Sequence, residues 1–219
     1  MTLSFVSIII PVYNDANGIK DTLASLSSQD YDKGKWEIIV VDNGSTDNTP
    51  EVIRSYMNKI HNLRLDFEPE NGSYAARNKG IRVAKGQIFA FIDSDITVNN
   101  HWISSGVADI VNNDVDYVGC RVDIYTTHKP PTIWEIYNQQ TGFPIKKYME
   151  EDGFACTAGL FVKKKVIDSI GPFNSTLLSG GDNEFGSRVC DAGFKMFYSD
   201  DNIVHHPARS TSKPGGLYG

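Results

Sequence analysis

Val6-Ser7-Ile8-Ile9-Ile10-Pro11-Val12-Tyr13-Asn14 opens the chain with a β-branched apolar run that Pro11 closes. Apolar residues at consecutive positions fit a strand covered on both faces, as in a parallel sheet between helices. Outward from it the pattern repeats. A helical stretch over Gly18–Ser28 sets Ile19, Leu23 and Leu26 on one face. Glu37–Val41 reads as a second strand ending at Asp42, and Asn43-Gly44-Ser45-Thr46-Asp47 supplies turn and capping chemistry. Val52, Ile53, Tyr56 and Ile60 give the next helix its stripe. Leu63–Phe67 is a third strand, Tyr74–Ala84 a helix closed by Lys85-Gly86, and Gln87–Ile92 a fourth strand. Successive β-α-β units predict an α/β fold with a mostly parallel, doubly wound sheet, whose ligands bind beyond the carboxyl ends of the strands. Tyr13-Asn14, Asp42 and Asp93 fall at that edge.

The second half is less regular. Tyr117–Tyr125 reads as a strand, and Thr126–Gly153 is a long aromatic-rich segment with Pro130, Pro131 and Pro144. Leu160-Phe161-Val162 is a short strand, followed by a helix through Ile170 that Gly171-Pro172 ends. A helix over Asp182–Asp191 and strands at Met196–Tyr198 and Ile203–Val204 complete the pattern. Residues 211–219 read as a flexible tail, as does Ser210 before them.

Bulk properties narrow the function. The net charge of −6 over 219 residues argues against a nucleic-acid footprint. Lys163-Lys164-Lys165 reads as a solvated helix start. Cys120, Cys156 and Cys190, odd in number and without CxxC spacing, fit reduced, small buried residues. The N-terminal apolar run is short and lacks a basic leader region, and no window has the length of a membrane span. The expectation is a cytoplasmic protein, with peripheral contact at the cytoplasmic face of a membrane left open.

Phe91-Ile92-Asp93-Ser94-Asp95 places two carboxylates directly after a strand. Hard oxygen ligands at a strand end suit Mg²⁺ or Mn²⁺; a solvated or capping loop is the plainer reading of the same residues. Asn71-Gly72-Ser73 precedes a helix whose first amides can face an anion. On that helix Arg77 is either a guanidinium at the strand ends or a surface residue. Asp182 is either a helix N-cap or a base for an acceptor hydroxyl, with Glu184 the competing carboxylate and Arg188 one turn on as its partner. His205-His206 follows a strand, so only one of the two can face a given site.

Ser7–Asn14, Glu37–Asp47, Ala75-Ala76-Arg77-Asn78-Lys79-Gly80-Ile81, Phe91–Asp95, Gly159–Val162, Gly171–Asn174 and Gly181–Phe185 with Arg188 together resemble family 2 glycosyltransferases, in the family's order. The resemblance implies a GT-A fold and an inverting, metal-dependent transfer of a sugar from a nucleoside-diphosphate sugar to a glycan, lipid-linked or other hydroxyl acceptor. It implies one domain over residues 1–210, with a nucleotide-sugar half at 1–98 and an acceptor half at 99–210. Pro11, Tyr13, Asp42, Arg77, Asp93 and Ser94 would hold the donor. Asp95, Asp93 and His206 would hold a divalent cation, Mn²⁺ or Mg²⁺, with His205 competing for that register. Asp182 would be the general base.

The chain departs from the family pattern in three ways. Gly181 stands where an acidic residue is usual, and Glu184 where Asp is frequent. The sequence also ends soon after Arg209, as a compact or a shortened member would. These departures leave a non-catalytic sugar-nucleotide binding module as the alternative. A sugar-nucleotide pyrophosphorylase is weaker, because Tyr13-Asn14-Asp15 replaces its Gly-rich signature. Trp134, Tyr137, Phe143 and Tyr148 offer aromatic faces for an acceptor sugar, or core packing.

Overall fold

The computed structural model describes residues 3–209. The predicted tail at Ser210 and residues 211–219 lies outside the described residues. One eight-stranded sheet runs in the order β3-β2-β1-β4-β7-β6-β8-β5. Its strands are β1 (Val6–Val12), β2 (Trp36–Asp42), β3 (Leu63–Phe67), β4 (Ile88–Phe91), β5 (Thr97–Val98), β6 (Tyr117–Tyr125), β7 (Leu160–Lys163) and β8 (Met196–Pro207).

Both faces of β1 are buried, as its unbroken apolar run requires. Val6, Ile8, Ile10 and Val12 point to the face covered by α1 (Ala16–Leu26), α2 (Thr49–Met57) and α4 (Trp102–Asn112). Ile9 points to the opposite face, toward α3 (Ser73–Val83) and α8 (Gly181–Asp191). Each isoleucine so enclosed contributes about 2 kcal/mol from apolar area alone. Close approach of α3 depends on Gly80, where a Cβ would lie 2.4 Å from Ile9.

The first four strands in spatial order pair in parallel, β3-β2-β1-β4. Direction then reverses, for β7 is antiparallel to both β4 and β6. The sheet is therefore mixed. The turn after β4, with Asp93–Asp95, lies at this seam, where neighbouring connections leave in opposite directions and open a crevice.

Three expectations change. The strands read at Met196–Tyr198 and Ile203–Val204 are one strand, β8, along β6, with a register break between the Cys120–Ser199 and Arg121–Ile203 pairs. Asp200-Asp201-Asn202 bulges out, and the Asn202 amide donates to the carbonyl of Trp102 instead of making a turn. The Lys run is not simply solvated: Lys163 and Lys165 both bind Asp116, while Lys164 pairs with Asp168. Cys120 is buried as expected, but Cys156 is half-buried and Cys190 exposed.

The unmatched segment carries α5 (Ile133–Thr141), the short α6 (Ile145–Lys147) and a π-helical turn over Tyr148–Asp152. A capping box starts α5: Thr132 accepts from the amide of Glu135, whose buried carboxylate accepts from the amide of Thr132. The remaining helix is α7 (Lys164–Ile170). Among the described residues no helix is long and apolar enough to cross a membrane.

Candidate active site

A cleft of about 960 Å³ opens above the carboxyl ends of β1, β2 and β4, large enough for a nucleotide sugar. Pro11, Tyr13, Asn43, Asn71, Gly72 and Ser73 line it together with Thr157, Asp182, Phe143, Tyr148 and His206. Asp93, Ser94 and Asp95 line it as well. The predicted residues from both ends of the chain are thus brought to one cavity.

Two of them stand behind its wall. Asp42 is buried, and its Oδ1 accepts from the amide of Ser45, leaving Asn43 to face the cleft. Asn43 is held by its amide group, which donates to the carbonyls of Glu68 and Glu70 and accepts from the N–H of Gly72. That bond ties the β2 end to the start of α3, where Gly72 takes a φ of 125° that favours glycine.

Arg77 is not a surface residue. It is 1% exposed, and Nη2 donates to Asp93 Oδ1 at 2.5 Å. Its Nε and Nη1 have no partner among the described residues. The guanidinium therefore supports the floor from beneath, fixing the Asp93 carboxylate. Ser94 is anchored on the other flank: its hydroxyl donates to Asp15 Oδ2 at 2.7 Å, and its carbonyl accepts from Thr22.

Asp95 faces His206, with Oδ1 and Nε2 3.7 Å apart. Alternation along β8 turns His206 into the cleft, and His205 is not among its lining residues. The Nδ1 of His206 lies 2.7 Å from the carbonyl oxygen of Pro207. A carbonyl only accepts, so Nδ1 donates to it, and the ring is held with Nε2 turned toward Asp95. A metal-ligating histidine is oriented in the same way, by a backbone carbonyl on its other ring nitrogen. Burial pushes the Asp95 carboxyl above the usual carboxylate range against the pull of His206, and Asp93 and Asp15 add like charge. The donor set fits a divalent cation that takes its other ligands from phosphate and water. Among the described residues no group of three His, Cys, Asp or Glu side chains comes together as a metal shell.

Asp182 does not cap its helix. Gly180 holds the N-cap position with no side-chain bond, and Asp182 sits in the first turn with its carboxylate in the cleft. It accepts from the amide of Thr157 at 3.1 Å and, at 3.3–3.4 Å, from the Thr157 hydroxyl. Burial raises its pKa, while Arg77 and the Thr157 bonds oppose the rise. Glu184 is instead spent on Arg188, with two bonds of 2.7 and 2.9 Å. Arg188 also donates to the carbonyls of Ile170, Gly171 and Pro172.

Of the four aromatic residues in the unmatched segment, Phe143 and Tyr148 line the cleft. Trp134 and Tyr137 are exposed on α5 and do not. Phe154, stacked on Tyr148 at 4.8 Å, joins the wall. Sequence reasoning missed Thr157 and Asp15 as supports, since neither stands in a recognisable spacing with the carboxylate or hydroxyl it holds.

The glycosyl transferase family 2 profile matches residues 7–171. The chain belongs to glycosyl transferase family 2. It is 42% identical over 209 residues to Glycosyltransferase AglE of Haloferax volcanii, covering 95% of this chain and 68% of that protein. It is 26% identical over 233 residues to the dolichyl N-acetyl-alpha-D-glucosaminyl phosphate 3-beta-D-2,3-diacetamido-2,3-dideoxy-beta-D-glucuronosyltransferase of Methanococcus voltae, covering 96% and 69%. Among solved structures, the mannosyltransferase PcManGT from Pyrobaculum calidifontis, in complex with GDP-Man and Mn²⁺, superposes with a TM-score of 0.76 at 22% identity. That match covers 98% of this chain and 59% of that one. S. aureus TarS 1-349 in complex with UDP-GlcNAc gives 0.73 at 22% identity, covering 94% and 59%. The chain thus spans about six tenths of the length of these solved structures. Its α/β fold, with a mixed and curled sheet, is that of the GT-A glycosyltransferases.

Proposed function

We propose that this family 2 glycosyltransferase moves a sugar from a nucleoside-diphosphate sugar to an acceptor hydroxyl with inversion, in a divalent-cation-dependent reaction. The observation that carries the reading is the meeting, in one cleft, of an Asp182 carboxylate held by Thr157 and the Asp95–His206 pair. Structural neighbours solved with nucleotide sugars, one of them with Mn²⁺, support a donor and a cation of this kind.

In this reading the nucleoside lies along Pro11, Tyr13 and Asn43, and the diphosphate lies between Asp93–Asp95 and the first amides of α3. Asp42 and Arg77 act from behind, Asp42 by shaping the β2 turn and Arg77 by holding Asp93. A divalent cation held by Asp95 and the Nε2 of His206 would offset the charge that grows on the departing nucleoside diphosphate.

Asp182 accepts the proton of the acceptor hydroxyl as that oxygen attacks the anomeric carbon, opposite the leaving phosphate oxygen. Its raised pKa makes it a better proton acceptor than an ordinary aspartate, while Thr157 keeps it ionised and aimed. One in-line displacement, with an oxocarbenium-like transition state, inverts the centre. Phe143, Tyr148 and Phe154 give the acceptor an aromatic wall, the surface that a sugar ring prefers. Such a transferase would serve glycan or glycoconjugate synthesis.

The test is a melting-temperature panel of UDP- and GDP-sugars with Mn²⁺, followed by transfer assays on any donor that stabilises the protein. Asp182→Asn should keep donor binding and lose at least about a hundredfold in transfer, the lower range of general-base contributions. Transfer at the wild-type rate by that variant would remove Asp182 as the base, and no stabilisation by any donor would remove the whole reading.

A further inference from the structure

Tyr74 belongs to no motif by which the sequence announces a site. It lies in the first turn of α3, yet its ring crosses the cleft floor to rest on Gly181, the first residue of α8. A Cβ at Gly181 would meet the Tyr74 ring carbons at 2.5–2.9 Å, so the contact exists because residue 181 has no side chain. Phe173 stacks on the same ring at 5.8 Å, and the Arg77 guanidinium lies 5.5 Å from its centroid. Packed in this way, Tyr74 is 7% exposed, and it is among the residues that line the cleft beside Asp182 and Asn183.

The hydroxyl is the unexplained part. A phenol oxygen has two lone pairs and one proton. The backbone N–H groups of Asp182 and Gly181, in the first turn of α8, lie close enough to offset part of the effect of burial on the phenol. No acceptor among the described residues takes the proton. Burial, with the charge of Asp182 close by, pushes the phenol up to about 12, so the proton stays in place at neutral pH. A phenylalanine would keep the ring's contacts with Gly181, Phe173 and Arg77. The hydroxyl adds a neutral donor to a ring that is held by its packing and lines the cleft.

Resting on the glycosyltransferase reading, we propose that the Tyr74 hydroxyl donates a hydrogen bond to a hydroxyl oxygen of the sugar bound beside Asp182. Tyr74 is then a substrate-contacting residue, and its partner is a polyhydroxylated ring. That ring belongs either to the sugar being transferred or to the acceptor, and the two leave different kinetic traces.

The probes are UDP-N-acetylglucosamine, GDP-mannose and further nucleoside-diphosphate sugars with Mn²⁺, run first on the wild type. If the wild type neither binds nor turns over any of them, the glycosyltransferase reading itself fails. With a working donor, Tyr74→Phe should melt as the wild type does and lose about tenfold in kcat/KM, the size of one neutral hydrogen bond. Slower donor hydrolysis in the absence of acceptor assigns the bond to the transferred sugar. Unchanged hydrolysis with a raised acceptor KM assigns it to the acceptor. Wild-type kinetics in both assays overturn the proposal. If the phenylalanine variant melts lower, a fluorinated tyrosine placed at position 74 keeps the ring and makes the phenol more acidic. Activity should then fall on the alkaline side at a pH where the wild type is still active, and failure of that limb to appear would equally overturn the proposal.

Discussion

Thr157 holds Asp182 twice, by its backbone N–H and by its hydroxyl, although 25 residues separate them in the chain. Both bonds favour the ionised carboxylate, whereas burial favours the protonated one. Replacing the hydroxyl with a methyl removes one stabiliser of the charge and leaves the burial. The Asp182 pKa must therefore rise further. In Thr157→Val the acid limb of the pH–kcat profile is expected to move to higher pH, while the alkaline side stays in place. Thr157→Ser, which restores the hydroxyl, should return the limb toward the wild-type position. A Val variant with an unshifted limb would separate Thr157 from the base.

Arg77 and Asp93 form the buried pair beneath the donor site, with side chains 1% and 16% exposed. Removing one member of such a pair leaves an uncompensated charge, at a cost of about 3–5 kcal/mol. Arg77→Met should therefore destabilise the protein strongly in urea titration. Arg77→Lys should destabilise it too, because an ammonium lacks the planar fork that meets Asp93 while stacking over Tyr74. Near wild-type stability of the methionine variant would mean that Asp93 finds another partner.

His206 offers Nε2 to the Asp95 side through its Nδ1 contact with the Pro207 carbonyl. His206→Ala should weaken Mn²⁺ affinity, measured by calorimetry with the nucleoside diphosphate present, while His205→Ala should leave it unchanged. Chelation of divalent ions should remove transfer, and Mn²⁺ should restore it. Equal Mn²⁺ affinity in the two alanine variants would take His206 out of the cation site.

Gly106, in α4, lies against the Phe161 ring, where a Cβ would come within 2.4–2.6 Å of its carbons. Phe161 is fully buried and tilted on Trp102, so it has nowhere to retreat. Gly106→Ala should cost about 1–3 kcal/mol by overpacking, read as a lower melting temperature. A gain in stability, as expected of alanine in an unobstructed helix, would show that the ring can move.

The first half was legible because its physics is local. Unbroken apolar runs become strands buried on both faces, and each ends in polar turn residues at the same edge. The apolar run into Ile92 is enough by itself to put Asp93–Asp95 at that edge. The helix at Trp102–Asn112 carries an apolar face of Trp102, Ile103, Val107 and Ile110, but it has no side-chain N-cap to announce its start, and its packing on β6 and β8 is a contact between residues distant in sequence. Chains of the form Asp200-Asp201-Asn202 are usually turns, and only pairing on both flanks makes this one a bulge. The supports of the site were hidden for a related reason. Thr157 and Tyr74 act on residues far away in sequence, and such contacts leave no period and no spacing to read.

Gly181 now has a meaning beyond a missing acid. Positions 74 and 181 occupy a single volume, so a side chain can fill it from one strand of the history or from the other, but not from both. Across related sequences, tyrosine at the first position should travel with glycine at the second. An acidic residue at the second should travel with something small at the first. Adding a side chain at position 181 while Tyr74 stays is then the forbidden step, and any route between the two arrangements must pass through a sequence in which both positions are small.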